Sequence, residues 1–352
     1  MYRAPDTAST LRLPEIAVSD HRIPGGAAGV EIHVRRKRLA SLGAVDPDKV
    51  VVFVHGATYP GSVAFDHAML GGGSWLDYLA LHGFDTFVFD VRGYGRSSRP
   101  ALQGDRATRD LPYARTPEAL ADLTAVVEFA RAQAQVAQVN LIGWSWGTAI
   151  SGGFAAVHGD RLRHLLLVAP LWTIRATPAA ALSRWMMSAL PWPSTGNANF
   201  LGAFRKVNKA EARARWVRGL APAVAEQLMP MAEFDRWWEA LCEIQGDPGS
   251  HGRAATAANG VMADLIELWA NGRPTYKPEN ITVPTQLLVG EWDVDTPPYM
   301  AQELFSHLTA APYKRLEILA RGTHSMALEL NRVDLYRRTR EFLETQFLKR
   351  PG

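Results

Sequence analysis

The sequence predicts an α/β protein: a mostly parallel central sheet with helices on both faces and a helical cap inserted into it. Three observations carry this. Short apolar, β-branched runs alternate with helical segments from about residue 50 to 171 and again from 281 onward, the alternation that builds parallel sheets. The runs themselves, Val50–Val54 foremost, are continuously apolar, as in strands buried on both faces. Over 172–280 the strand pattern lapses, prolines recur, and 7 of the 11 tryptophans gather, too many for a solvated linker. The expected organisation is a first core part over 1–171, a helical cap over 172–280 and a second core part over 281–352.

Each element has its own signal. The run at 50–54 ends at His55-Gly56 and passes into a loop with Pro60 and Gly61. Ser74-Trp75-Leu76-Asp77 has the form of a capping box and predicts a helix start. Residues 84–91 form a second buried strand, ending in Arg92-Gly93-Tyr94-Gly95. Thr116-Pro117-Glu118 opens a helix, with proline early and an acid in the first turn, running to about Gln135. A third strand over 139–142 meets a sharp turn at 143–147, followed by a small-residue helix to about Val157 and a fourth strand over 165–168. Between 172 and 280 only helical pieces are expected, for instance at 208–219 and 232–245. Strand, helix, strand, helix then follow at 285–289, 298–309, 313–319 and 332–347.

Composition narrows the function classes. Arginine outnumbers lysine 31 to 7, yet 35 acids are interspersed with them and the formal net charge is +3. The one dense run, Arg35-Arg36-Lys37-Arg38, follows an alternating segment and reads as a solvated strand end rather than a nucleic-acid or membrane footprint. No apolar run is long enough to span a bilayer, and the first twenty or so residues lack the apolar stretch of a secretory leader. The single cysteine, Cys242, leaves no intramolecular disulfide and no zinc ribbon. No histidine and acid cluster has metal-ligand spacing, so neither metal nor cofactor is expected. The expectation is a cytoplasmic protein with a small-molecule substrate and no nucleic-acid or membrane partner; oligomeric state leaves no mark in the sequence.

Chemistry concentrates at Gly143-Trp144-Ser145-Trp146-Gly147, a G-x-S-x-G between a predicted strand and a predicted helix. Such a turn holds a serine hydroxyl above the strand ends, beside a helix N-terminus whose N–H groups favour a developing anion. A serine needs a base. Of the ten histidines, His324 sits on a loop directly after a predicted strand, in Gly322-Thr323-His324. The base needs an orienting carboxylate. Gly290-Glu291-Trp292-Asp293-Val294-Asp295 follows another strand and offers three acids, of which Asp293 is favoured, with Asp295 and then Glu291 as alternatives. An oxyanion hole is expected from the N–H of Trp146 and from the loop after the first strand, with Ala57 first and Thr58 second. Thr58, Trp172, Trp185 and Trp237 are the expected substrate-pocket residues, and Trp146 is placed at the pocket by the turn itself.

With these motifs in order, the chain resembles the α/β-hydrolase fold superfamily. The matching residues are His55-Gly56, Asp90-x-Arg92-Gly93-x-Gly95-x-Ser97, the Ser145 turn, Gly290-x-x-Asp293 and His324-x-x-x-x-Glu329. The resemblance covers about 50–171 and 281–348, and the order Ser145, Asp293, His324 is that of the superfamily triad. The string Ser145-Trp146-Gly147 is similar to proline iminopeptidases, but the stretch after His55 departs from theirs. Haloalkane dehalogenases share the tryptophan and have an aspartate in place of the serine. The resemblance implies a capped serine hydrolase that cleaves an ester, or an amide, of a small apolar or aromatic substrate through an acyl-enzyme. C–C bond hydrolysis of the meta-cleavage type is the alternative within the superfamily. A ligand receptor with little turnover is the alternative outside enzymes.

Overall fold

The computed structural model describes residues 14–69, 72–100, 111–174 and 198–347. Its centre is an eight-stranded sheet in the order β1-β2-β4-β3-β5-β6-β9-β10. The strands are β1 Ile16–Pro24, β2 Glu31–Leu39, β3 Val50–Val54, β4 Asp85–Phe89, β5 Val139–Trp144, β6 Leu162–Val168, β9 Thr285–Gly290 and β10 Lys314–Leu319. β1 and β2 are antiparallel, and β2 is antiparallel to β4; every other neighbouring pair is parallel. This is the mostly parallel sheet the alternation implies.

The apolar run of β3 explains its central place. Val50, Val52 and Val54 enter one hydrophobic layer, and Val51 and Phe53 the other, all without solvent exposure. One layer packs α3 Thr116–Ala134 and α4 Trp146–His158; the other packs α2 Trp75–Leu81 and α10 Arg332–Glu344. The capping box before α2 closes as expected: Asp77 N donates to Ser74 Oγ at 3.0 Å, and Ser74 N to Asp77 Oδ2 at 2.9 Å. α1 Gly61–Phe65 follows β3, and α9 Pro298–His307 links β9 to β10.

Two sequence expectations change. The basic run 35–38 is not simply solvated. Arg36 donates to both oxygens of Asp85, at 2.8 and 2.5 Å, Lys37 pairs with Asp66 at 2.6 Å and Asp77 at 2.7 Å, and Arg35 pairs with Asp20 and Asp66. β2 lies inside the sheet, so its charges meet acids on neighbouring elements. The stretch expected to be purely helical also contains two strands. β7 Phe204–Asn208 and β8 Ala254–Ala258 form an antiparallel pair. Their residues, FRKVN and AATAA, carry no β-branched alternation, so pairing and burial rather than intrinsic propensity hold them.

Around that pair lie α5 Lys209–Trp216, α6 Pro222–Leu228, α7 Met231–Gln245 and α8 Gly260–Glu267. They dock on loops that follow the parallel strands. Gln245 Nε2 donates to Thr58 O at 2.9 Å, Gly95 N donates to Gln245 Oε1 at 2.9 Å, and Trp237 Nε1 donates to Val63 O at 3.2 Å. The inserted elements therefore face the C-terminal edge of the sheet, where open α/β folds bind ligands. Among the described residues, no helix is long and apolar enough to cross a membrane.

Candidate active site

Ser145 stands between β5 and α4 with φ 57° and ψ −123°, a backbone state that ordinary side chains avoid. Two close approaches hold it there. A Cβ on Gly147 would overlap the carbonyl oxygens of Val54 and His55 at the end of β3, and one on Gly143 would come within 2.5 Å of the Gly147 carbonyl oxygen. Glycine at both places lets α4 begin directly against the strand ends. The Ser145 N–H donates to Val168 O at 2.9 Å, and Thr148 Oγ1 to Ser145 O at 2.5 Å, so the turn is fixed from both sides.

Three side chains from three loops then meet. His324 Nε2 lies 2.9 Å from Ser145 Oγ. His324 Nδ1 lies 2.9 and 3.1 Å from the two carboxylate oxygens of Asp293. The carboxylate is itself fixed: Asp295 N and Thr296 N donate to Asp293 Oδ1 at 3.0 and 2.8 Å, and Thr296 Oγ1 lies 2.9 Å from Oδ2. Gly290 lets the two loops touch, since a Cβ there would overlap the carbonyl of Gly322. Asp295, the alternative acid, turns elsewhere: Arg215 Nε donates to its Oδ2 at 2.7 Å, and Arg218 lies 3.5 Å from its Oδ1. Glu291 Oε2 accepts from Arg321 N at 3.0 Å, away from the histidine ring.

The His324 loop has a second support. Glu329, fully buried, accepts from Thr323 N at 3.2 Å, from Thr323 Oγ1, and from Trp216 Nε1 at 3.1 Å. Burial pushes this carboxyl above its usual range despite those donors, and Asp293 adds to the rise. On the other side of the serine, the N–H groups of Ala57 and Trp146 donate no hydrogen bond among the described residues. His55, also named by sequence, is a scaffold. Its Nε2 accepts from Val91 N at 3.0 Å, its Nδ1 lies 2.7 Å from Gly56 O, and burial lowers its proton affinity.

The described residues leave a small cavity at Ser145, lined among others by Ala57, Thr58, Tyr59, Trp144, Arg215 and Trp216. Thr58 is thus at the cavity. Trp146 is not. Its indole is fully buried on the α3–α4 side, where Nε1 donates to Thr116 Oγ1 at 2.9 Å. The chain turns between residues 144 and 146, so it is Trp144, at the end of the strand, that faces the cavity. Trp172 packs edge-on to Tyr276 at 5.5 Å, in the core away from the cavity. Trp237 stands behind the lining, edge-on to Tyr59 at 4.7 Å and to Trp216 at 5.0 Å. Trp185 lies outside the described residues. The sequence reading missed Trp144, Tyr59, Arg215, Trp216 and Thr296. Only Trp144 carried a local signal, its adjacency to Ser145. Among the described residues, no group of three or more histidine, cysteine or acidic side chains is arranged to hold a metal ion.

Residues 49–219 match the profile of the family described as alpha/beta hydrolase fold. The chain is 26% identical over 151 residues to abhydrolase domain-containing protein lid-1 of Caenorhabditis elegans, and 31% identical over 114 residues to a (lyso)-N-acylphosphatidylethanolamine lipase of Bos taurus. These alignments take in 43% and 31% of this chain and 36% and 30% of those proteins, so the chain spans about a third of the length of the curated relatives it matches. Among solved structures, a 2-hydroxy-6-oxo-6-phenylhexa-2,4-dienoate hydrolase from Rhodococcus sp. strain RHA1 is similar with TM-score 0.59 at 14% identity, over 94% of this chain and 100% of that one. A laboratory-evolved variant of potato epoxide hydrolase is similar with TM-score 0.59 at 17% identity, over 93% and 99% of the two chains.

Proposed function

Since the chain is an α/β-hydrolase-fold protein, we propose that it is a serine hydrolase cleaving an ester or amide bond of a small apolar or aromatic substrate. The observation that carries this reading is the unbroken line of hydrogen-bond distances Ser145–His324–Asp293, with 2.9 Å at each step. Ser145 Oγ attacks the substrate carbonyl as its proton passes to His324 Nε2. The oxyanion that forms accepts from the backbone N–H groups of Ala57 and Trp146. The tetrahedral adduct collapses, the bond to the leaving group breaks, and His324 returns the proton to that group. Water then attacks the acyl-enzyme with the same histidine as base, releasing the acid and restoring Ser145. Asp293 keeps the Nδ1 proton of His324 directed toward itself and stabilises the imidazolium formed in each half.

Local identity to a lipase supports an acyl substrate. The cavity wall of Trp144, Trp216 and Tyr59 supports an apolar or aromatic portion within it. The test is labelling by a fluorophosphonate together with turnover of 4-nitrophenyl esters. The wild type is expected to be labelled at Ser145 and to hydrolyse the esters, with both abolished in Ser145→Ala. A wild type that is neither labelled nor active on esters or amides overturns the reading.

A further inference from the structure

The wall of the cavity beside Ser145 carries an ion pair, Arg215 with Asp295, that the hydrolytic steps do not use. Arg215 lines the cavity together with Ser145 and His324. Its Nε is committed to Asp295 at 2.7 Å, while its two terminal nitrogens donate no hydrogen bond among the described residues. Arg205, on β7, reaches the same region from behind the Ala57–Thr58 strip. It donates to Ala258 O, to Ala57 O at 2.9 Å and to Thr58 Oγ1 at 3.4 Å, all uncharged oxygens, and no carboxylate contacts it among the described residues. Arg218 shares Asp295 with Arg215. Among the described residues Arg215 thus has one ion-pair partner, Asp295, which it shares with Arg218, while Asp293 is committed to His324 and Thr296.

The Arg215 side chain keeps 45% of its exposure, so its free edge is open to solvent and to a ligand carboxylate that displaces that solvent. The open edge of Arg215 is a planar pair of N–H donors, matched in geometry to one carboxylate. We propose that Arg215, with Arg205 adding to the local field, forms a carboxylate-binding subsite beside Ser145, so that the substrate is an ester bearing a carboxylate away from the scissile bond. This rests on the serine-hydrolase reading for what the site does with its ligand, but binding can be measured without turnover.

The experiment uses the full chain with Ser145→Ala and two ester pairs. One pair has the charge on the acyl side: monophenyl adipate against methyl phenyl adipate. The other has it on the leaving side: 4-acetoxybenzoate against its methyl ester. In at least one pair the anion is expected to bind about 10-fold tighter or more than its neutral partner, with the ratio falling at high salt. Adding Arg215→Gln should bring that ratio below about 2-fold, whereas adding Asp295→Asn should raise it, because the competing carboxylate is gone. If Arg215 only tethers the inserted helix, both substitutions would weaken charged and neutral ligands alike and leave the ratio unchanged. Equal affinity within both pairs, or a ratio that neither substitution moves, overturns the subsite. If Arg215→Gln does not fold, Asp295→Asn decides alone by the direction of its change. Fluorophosphonate labelling of the wild type tests the hydrolase reading separately, since binding ratios in the Ser145→Ala chain do not depend on it.

Discussion

The indole Nε1 of Trp144 donates to the main-chain carbonyl of His324 across 2.9 Å, and the two rings stand 5.6 Å apart. The residue just before the serine thus holds the backbone of the histidine that the serine must meet. Trp144→Phe keeps an aromatic ring against Phe65 but deletes this donor. We expect kcat to fall about 5- to 10-fold, the worth of one neutral hydrogen bond, with KM for small acetate esters little changed. Steady-state kinetics on 4-nitrophenyl acetate check this; an unchanged kcat would mean that the histidine loop is held without the indole.

Asp293 and Asp295 are two residues apart and have different partners, His324 for the first and Arg215 for the second. Asp293→Asn should lower kcat/KM toward neutral esters by on the order of 10⁴, as loss of the orienting carboxylate does in serine proteases. Asp295→Asn should cost less than about 10-fold on the same esters, because its backbone N–H to Asp293 remains. Parallel rate measurements on the two variants decide it, and comparable losses would remove the distinction between the two acids.

Trp146→Ala should act on stability rather than substrate choice. The indole is sealed in the core and bonded to Thr116, so truncation leaves a cavity and an unpaired hydroxyl. The expected loss is about 3–5 kcal/mol in urea unfolding. Relative kcat/KM across acetate, butyrate and benzoate esters should stay flat. A selective loss of the larger esters would return Trp146 to the pocket. Trp216→Ala, at the cavity wall, should show that selective loss.

His164 carries a pH prediction. It is buried, with Nδ1 2.8 Å from Asn140 Oδ1 and the rings of Phe342 and Phe347 beside it. Burial, aided by Arg163, pushes its pKa down from 6.5 to about 4. Between those values the unfolded chain binds a proton that the folded one refuses. Stability should therefore be intact above about pH 6.5 and fall as the pH drops toward 4, by up to about 3 kcal/mol from this group. Unfolding free energies at pH 7.5 and 5.0 should differ less in His164→Gln than in the wild type; identical differences would assign the acid sensitivity to other groups.

Local patterns in the chain were enough for the α/β alternation, the buried strands such as Val50–Val54, the capping box at Ser74, and the glycines that bracket Ser145. Each is a matter of a few neighbouring residues, where steric and hydrogen-bonding rules act over one turn or one strand. Sequence also narrowed the acid to three neighbours, Glu291, Asp293 and Asp295, but their choice of partner is a matter of distances to His324, Arg215 and Arg321, set by how separate loops meet. β7 and β8 escaped because AATAA has no strand signature until FRKVN pairs with it. Trp144 and Trp146 look equivalent in the string, yet the turn at Ser145 sends one to the cavity and the other into the core on the opposite face of the sheet. Arg215 and Trp216 reach the cavity through Asp295 and Glu329, more than seventy residues away in the chain. Such contacts depend on the packing of the inserted helices over the strand ends, and no local pattern encodes that packing; only the folded chain brings those side chains together.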